Sequence, residues 1–568
     1  MNALGADVTG LDVAAFLERA RLVGALGLVL WALLLARWRR PGVLLGGAVA
    51  ANAFVWLVTS WPLQRLYALG PSADRLTNLG WCTTVAAAGA PLQTTQVGQL
   101  HFEPFWGVLV AALAGFDAER VLALYPFLSL AVAVLLPLAI FFGLRPVTPG
   151  EGWSAWERAA AAAAASLLWS APFDFAGTYR NAWSLSFLLK PNHSLAILLF
   201  PLFLYAFVRI RGTWGRVAVG LFLHVLAWAF VLHMAYIAVG LAVYALVELC
   251  ARRPDARARV LDVAVVFGVN LLIVSPYIVM LFVGYPFLTP LPRNQIAVTS
   301  AHLLEPTVRL GLLFPLGVWG AVVAYRRGDR LGRVWTGQVV GIYVVWIGYV
   351  VLSALHQARE RDEVHHWLRL VVAVSAGIGA WDLAGRAARA WRARGLEPGL
   401  QAALLLVLAA PWSLPYWWDP ARMDPYFARS VAPVEAALAE PAEFIRRHAA
   451  PRDVVASDPD YSRWIAALGA RRVLRDGHMH LNADHADREA VLETLLRDPD
   501  AAAVRAAAAR YRVRYLVVTP ALLAQHPGVT LESLAAREHW EPLLYTQEGE
   551  DAPVVVFRLA AAPAGTRG

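Results

Sequence analysis

ERVLALYPFLSLAVAVLLPLAIFFG, residues 119–143, opens on the charged pair Glu119 and Arg120 and then runs to Gly143 without another charge. A bilayer core is crossed by a helix of roughly 17–25 apolar residues. A helix is the default there because it satisfies its own backbone hydrogen bonds. The stretch therefore predicts a membrane-spanning helix, and comparable tracts recur at 260–283 and 399–415. Of the 568 residues, 58% are hydrophobic and 16% charged, with a mean hydropathy of +0.51; a soluble chain carries about 25% charged residues. Apolar helices are expected near 21–36, 43–59, 119–143, 155–171, 192–209, 217–232, 235–250, 260–283, 309–325, 334–355, 367–384 and 399–415. The predicted fold class is an α-helical polytopic membrane protein of about 12 transmembrane helices with a small C-terminal α/β soluble domain. Segment 103–115, FEPFWGVLVAALA, is too short to span and reads as a juxtamembrane or re-entrant helix.

Charge orients these helices. Asp7, Asp12 and Glu18 precede the first tract, and Arg37, Arg39 and Arg40 follow it. The pattern lacks the features of a cleaved signal peptide and reads as an uncleaved helix with its N-terminus outside. The inner loops then become 37–42, 144–154, 210–216, 251–259, 326–333 and 385–398. With the bordering residues Arg158 and Arg209 included, they hold about 20 basic residues against about 8 in the outer segments, as positive-inside bias requires. The formal net charge of +9 is thus a topology signal, and nucleic-acid binding is not expected. Cys82 and Cys250 fall on opposite sides, so no disulfide joins them. Lys190 is the single lysine. That bias and the alanine run 159–165 read as products of a GC-rich genome.

Beyond residue 415 the character changes. PYWWDP marks the bilayer exit, where Trp and Tyr favour the interface. Segment 431–448 reads as an amphipathic helix, VVASDP (454–459) as a short strand, RWIAAL as a helix start and 486–510 as one long Ala-rich helix. RYLVV and VVVFRL (554–559) read as buried strands. Helices alternating with short strands indicate an α/β unit, outside by parity. The domain division is 1–418, a transmembrane part with a large outer loop at 60–118, and 419–568, an extracytoplasmic α/β domain. No GxGxxG follows a strand, so no nucleotide is assigned.

The outer loops carry most of the candidate chemistry. The first holds Asp74-Arg75, then Gln93, Gln96 and Gln99, then His101 and Glu103. The next holds Asp174, Arg180, Lys190 and His193, and the last is HQARERDEVHHWLRL, with Arg361, His365, His366 and Arg369. Asp74-Arg75 reads either as a site acid or as a solvated pair. His101 and Glu103 either serve a site or cap the helix that follows. His193 starts an apolar helix after Lys190, a place where a phosphate can bind. A lysine retained where arginine prevails elsewhere suits a point-charge role. His365 and His366 are adjacent and do not share a helix face as i, i+4 ligands do, and HEXXH is absent. No metal and no cofactor are assigned. Arg361 and Arg369 either contact an anionic head group or lie in a charged surface turn. His233 reads as structural.

ADRLTNLGW (73–81), QLHFEPFWGVLVAALAGFDAERVLALYPFLSLAVAVLLPL (99–138), FIRRHAAPRDVVASDPDYSRWIAALGARRVL (444–474) and RYRVRYLVVTPALL (510–523) together resemble the GT-C superfamily of polytopic glycosyltransferases, in its uncharacterised bacterial branch. The resemblance covers most of the chain. Where the family often carries an acidic pair, this chain has Asp74-Arg75. The resemblance implies a multi-pass protein of a bacterial cytoplasmic membrane. Its implied activity is transfer of a sugar from a polyprenyl-phosphate donor to a glycan, lipid or protein acceptor outside the cytoplasm, with inversion. It also implies a catalytic carboxylate, with Asp74 first and Glu103 and Asp174 behind it. His101, Arg180, Lys190, His193, Arg361, His365, His366 and Arg369 would bind substrate. The alternative is a non-enzymatic transporter, flippase or assembly scaffold.

Overall fold

The computed structural model describes residues 13–65, 73–89, 93–98, 104–146, 153–169, 191–284, 304, 310–311, 313–354, 361–390, 398, 401–402, 405, 436–476, 484–546 and 553–560. Thirteen helices precede the C-terminal module among them: α1 (Val13–Trp38), α2 (Pro41–Arg65), α3 (Ala73–Ala88), α4 (Pro104–Leu113), α5 (Ala118–Gly143), α6 (Ala155–Trp169), α7 (Pro191–Val208), α8 (Gly212–Ala229), α9 (Val231–Cys250), α10 (Ala256–Gly284), α11 (Leu313–Arg326), α12 (Arg330–Ala354) and α13 (Arg361–Ala390). Every expected apolar tract but the last coincides with one of them. Segment 399–415 and the 418/419 division fall largely or wholly outside the described residues.

By length and composition, four stretches among the described residues can cross a membrane: Leu232–Cys250, Ala256–Pro276, Arg330–Val351 and Trp367–Ala387. Ala118–Tyr125 with Leu130–Gly143 makes a fifth if this pair, bent by 61°, is one span. Pro126 sits in the break, a usual cause of such bends. Leu22–Trp38, Pro41–Phe54, Leu195–Val208 and Leu313–Arg326 are apolar but shorter, so the described helices give fewer full spans than the dozen expected. On α1, Leu22, Leu26, Leu30 and Leu33 are 56–63% exposed. Their spacing makes one apolar stripe facing away from the bundle, as a lipid-facing helix requires.

Without a hydrophobic drive between helices in lipid, small residues set close packing. A Cβ on Gly320 of α11 would lie 1.7 Å from the Ser375 carbonyl of α13, and one on Gly379 would lie 2.3 Å from Leu316 O. Gly337 and Gly341 of α12 meet Gly240 of α9 in the same way. The alanine run belongs to this set. Ala159 through Ala165 are all 2% exposed or less, and a Cβ on Gly377 of α13 would lie 2.6 Å from Ala164 Cβ and 2.8 Å from Ala161 Cα. The run is a helix–helix contact surface, and larger residues there would push α6 off α13.

One end of the bundle is ionic. Asp262 of α10 accepts from Arg216 (2.8 Å), Arg330 (2.8 Å) and Arg259 (3.5 Å). Glu248 of α9 pairs with Arg333 of α12 at 2.6 Å, and Arg327 pairs with Glu157 of α6. Three separate basic loops, 210–216, 251–259 and 326–333, therefore meet at one face, as the alternation of charge requires.

The C-terminal module contains α14 (Ala436–His448), β1 (Val454–Ala456), α15 (Pro459–Ala467), β2 (Arg472–Val473), α16 (His485–Arg497), α17 (Ala501–Tyr511), β3 (Val513–Val518), α18 (Pro520–Gln525), α19 (Leu531–Ala535), β4 (Trp540–Thr546) and β5 (Val554–Leu559). The sheet order is β2-β1-β3-β5-β4. β1 runs parallel to β2 and β3, and β5 is antiparallel to β3 and β4. The expected strands at 454–459 and 554–559 and the RYLVV strand are present. The single helix expected at 486–510 is two. It breaks at Asp498-Pro499-Asp500, where proline cannot donate to the ladder and Asp500 caps the second helix through Ala502 N. β2 and β4 escape sequence reading: the first is two residues long, and the second mixes polar and apolar positions.

Candidate functional site

Asp74 is the second residue of α3; its side chain lies outside the described residues. What α3 rests on is well defined. Thr83 Oγ1 donates to Ala466 O of α15 at 2.7 Å. A Cβ on Gly80 would stand 3.0 Å from Ala466 Cβ and 3.1 Å from Thr95 Cγ2, so any larger residue would make these neighbours give way by a few tenths of an ångström. Cys82 and Thr83 are fully buried in the same contact helix, and burial pushes the Cys82 thiol far up. Both cysteines are free.

The polar run that follows α3 is part of the sheet. Val473 N donates to Thr95 O at 2.9 Å, and Val97 N donates to Val473 O at 3.2 Å, which places Gln96 in a parallel bridge with Val473. Asp476, 3% exposed, accepts from Thr95 Oγ1 at 2.6 Å and from Gln96 Nε2 at 2.7 Å. Arg488, 2% exposed, donates to Leu474 O at 2.6 Å and to Val97 O at 2.7 Å. Arg488 is itself held by Asp484. Burial raises the Asp484 carboxyl, but hydrogen bonds from Arg488 and from the Tyr511 hydroxyl outweigh it and hold the group below the usual carboxylate range. The first outer loop and the C-terminal module are thus one interlocked body. Sequence reading missed this because a buried edge pairing needs a partner that the local pattern QTTQVG does not reveal.

A second group lies where α7, α9 and α13 begin. The Phe200 ring of α7 lies tilted 4.5 Å from that of Trp367 of α13, and His233 of α9 lies 4.7 Å from the same ring and 4.4 Å from Phe230. Deeper in the bundle, halfway along α13, Trp335 Nε1 of α12 donates to Ser375 Oγ at 2.6 Å. Arg369, two residues beyond Trp367, is buried, at 7% exposure. Arg361, His365 and His366 occupy the first turns of α13, so this segment is helix and not a surface turn. His193 is in the first turn of α7. The side chains of these four residues lie outside the described residues, as do Glu103, His101, Asp174, Arg180 and Lys190 altogether. The backbone brings the starts of α7 and α13 to the same end as the start of α9, with His233 fully buried between them. Among the described residues, no group of three His, Cys, Asp or Glu side chains is placed to hold a metal.

No protein-family model and no curated protein matches the chain. Among solved structures, ArnT from Cupriavidus metallidurans bound to undecaprenyl phosphate superposes with a TM-score of 0.50 at 16% identity, over 92% of this chain and 98% of that one. The same protein in the apo state gives 0.48 at 15% identity, over 90% and 98%. The archaeal oligosaccharyltransferase AglB from Archaeoglobus fulgidus, in complex with an inhibitory peptide and a dolichol-phosphate, gives 0.48 at 13% identity, over 84% and 69%. At these identities the likeness is one of architecture, and its reach over nearly the whole of both chains in the first comparison fits the resemblance carried by the first loop and the C-terminal strands. The chain therefore shares the overall fold of ArnT, along 92% of its own length and 98% of that protein's.

Proposed function

We propose that this chain transfers a sugar from a polyprenyl-phosphate donor to a glycan, lipid or protein acceptor at the extracytoplasmic face of a bacterial inner membrane. The observation that carries the reading is the fold shared with ArnT along 92% of the chain, joined to a first loop whose leading helix carries Asp74 as its second residue and is built into the C-terminal module. The ArnT structure with undecaprenyl phosphate supports the class of lipid.

In this reading Asp74 takes the proton of the acceptor hydroxyl as the acceptor oxygen attacks the anomeric carbon. The bond from that carbon to the phosphate oxygen breaks in the same displacement. The polyprenyl phosphate leaves with its electron pair, and the configuration inverts. A positioned base contributes about 10²–10⁴-fold. Cations beside the departing phosphate stabilise the charge it gains, a role for Lys190, Arg180, Arg361 and the buried Arg369. Glu103 and Asp174 are the alternative bases, and His101, His193, His365 and His366 hold substrate. The N-terminus and the C-terminal module are extracytoplasmic.

The test is to incubate the purified full-length chain with a panel of polyprenyl-phosphate sugars and to follow release of the polyprenyl phosphate. Turnover of one donor is the expected result. Binding of the lipids without release from any, in the presence of glycan, lipid and peptide acceptors, would replace this reading with transport or scaffolding.

A further inference from the structure

Three arginines gather at the C-terminal end of α5. Arg158 of α6 donates from Nη1 to Phe141 O at 3.4 Å, and its guanidinium lies 4.4 Å over the Phe141 ring. Arg209, just past α7, donates from Nη2 to Pro146 O and rests 3.9 Å over Tyr205. Arg145 is exposed, and its positive charge bears on Arg158. The end of a helix attracts cations with roughly half a negative charge, which three guanidinium groups exceed by more than two charges. Glu157, the acid next to Arg158, does not make up the difference: it is engaged by Arg327 at 3.0 Å and by Ser154 N at 2.7 Å. Among the described residues no carboxylate pairs with Arg145, Arg158 or Arg209. Arg158 Nε and Arg209 Nη1 are buried with no hydrogen-bond partner. This differs from the neighbouring basic loops, whose arginines share Asp262 and Glu248.

We infer that Arg145, Arg158 and Arg209 form a binding site for a phosphate group, supplied by an anionic lipid at the ionic end of the bundle. Guanidinium forks match phosphate oxygens in geometry and supply charge-assisted hydrogen bonds. The site lies at the end of the apolar helices α5, α6 and α7, beside Phe142, which is 51% exposed; a head group fits there with its chains along the helices. It stands at the opposite end of α5 from the C-terminal module, whose Arg446 reaches Glu119 near the start of that helix. It is therefore separate from the proposed catalytic region and does not depend on the transferase reading.

The test uses the full-length chain in detergent, with phosphatidylglycerol and phosphatidylcholine as probes and native mass spectrometry as the readout. Arg145→Glu places a carboxylate among the other two arginines and is expected to weaken phosphatidylglycerol retention about tenfold or more, the loss of one charge-assisted contact, with an unchanged melting temperature. Arg257→Glu makes the same change of charge at an exposed arginine of the same end and is expected to leave retention as it is. If Arg145→Glu melts lower, Arg145→Gln reads the same site with a smaller change. Retention by Arg145→Glu (or Arg145→Gln) at the wild-type level, equal loss in Arg257→Glu, or equal retention of phosphatidylcholine overturns the site. Persistence of phosphatidylglycerol against millimolar inorganic phosphate confirms the lipid source; displacement by it assigns the same arginines to free phosphate and overturns the lipid assignment.

Discussion

Asp476 accepts a hydrogen bond from a glutamine 380 residues earlier in the chain, and it does so while nearly buried. Asp476→Ala would remove the buried acceptor of the Thr95 hydroxyl and of one Gln96 amide hydrogen bond. Leaving such groups unpaired costs about 1–3 kcal/mol. The full-length variant should melt at a lower temperature than wild type, and an unchanged transition would mean that the loop is not clasped in solution. Asp74 and Lys190 are expected to behave differently from Asp476 and from each other. Asp74→Asn should lower kcat by roughly 10²-fold or more without affecting folding, whereas Lys190→Ala should mainly weaken donor binding, by about 1.5–3 kcal/mol. Full activity of Asp74→Asn would move the base to Glu103 or Asp174. The contrast also marks what a sequence can disclose. Asp74 stands out because it is an acid early in a long polar loop between apolar tracts. Asp476 does not, since its meaning lies in two side chains far away in the chain.

Helix packing follows the same division. The length of the apolar tracts alone placed α5, α9, α10 and α12, because lipid imposes length and composition locally. The small residues could be seen but not interpreted: an alanine run has no significance until Gly377 of α13 is found against it. Gly320→Val should therefore disrupt the α11–α13 contact, since its Cβ would meet Ser375 O at 1.7 Å. Overpacking of this kind costs about 1–3 kcal/mol or more. Gly348→Val in α12, where nothing stands within 4 Å, is the matched control. Equal melting temperatures for the two variants would show that the contact yields. In the module, α16 and α17 are tied by Asp484, which binds Arg488 and Tyr511. Its carboxyl is held below its ordinary value. The stability it contributes is therefore present above the unfolded pKa of about 3.9 and disappears as pH falls through the lower, folded value. Asp484→Asn should be less stable than wild type at neutral pH, and the gap should close below about pH 4. A gap that is constant with pH would assign the loss to packing instead.

On the scale of the whole molecule, α5 separates two chemistries. Near its start, Glu119 meets Arg446 of the C-terminal module. Beyond its end, Arg209 reaches Pro146, and the loops that follow join the Asp262 cluster. The basic loops and the module therefore lie at opposite ends of this helix, and in the proposed topology the positive-inside bias puts the basic end at the cytoplasm. Single cysteines can test the assignment in a background lacking Cys82 and Cys250. The positions should be exposed and should avoid the glycines of the basic loops, because Gly212 and Gly328 have positive φ and a side chain there is strained. Arg211 and Arg257 at the ionic end, and Arg452 and Ala502 on the module, satisfy both conditions. In intact cells an impermeant thiol reagent should label Arg452→Cys and Ala502→Cys and should leave Arg211→Cys and Arg257→Cys unlabelled until the membrane is opened. Labelling of Arg211→Cys and Arg257→Cys before lysis, with the module protected, would invert the whole protein. Because the loop bearing Asp74 is bound to the module by Thr95, Gln96 and Asp476, that result would also move the proposed transfer to the cytoplasmic face.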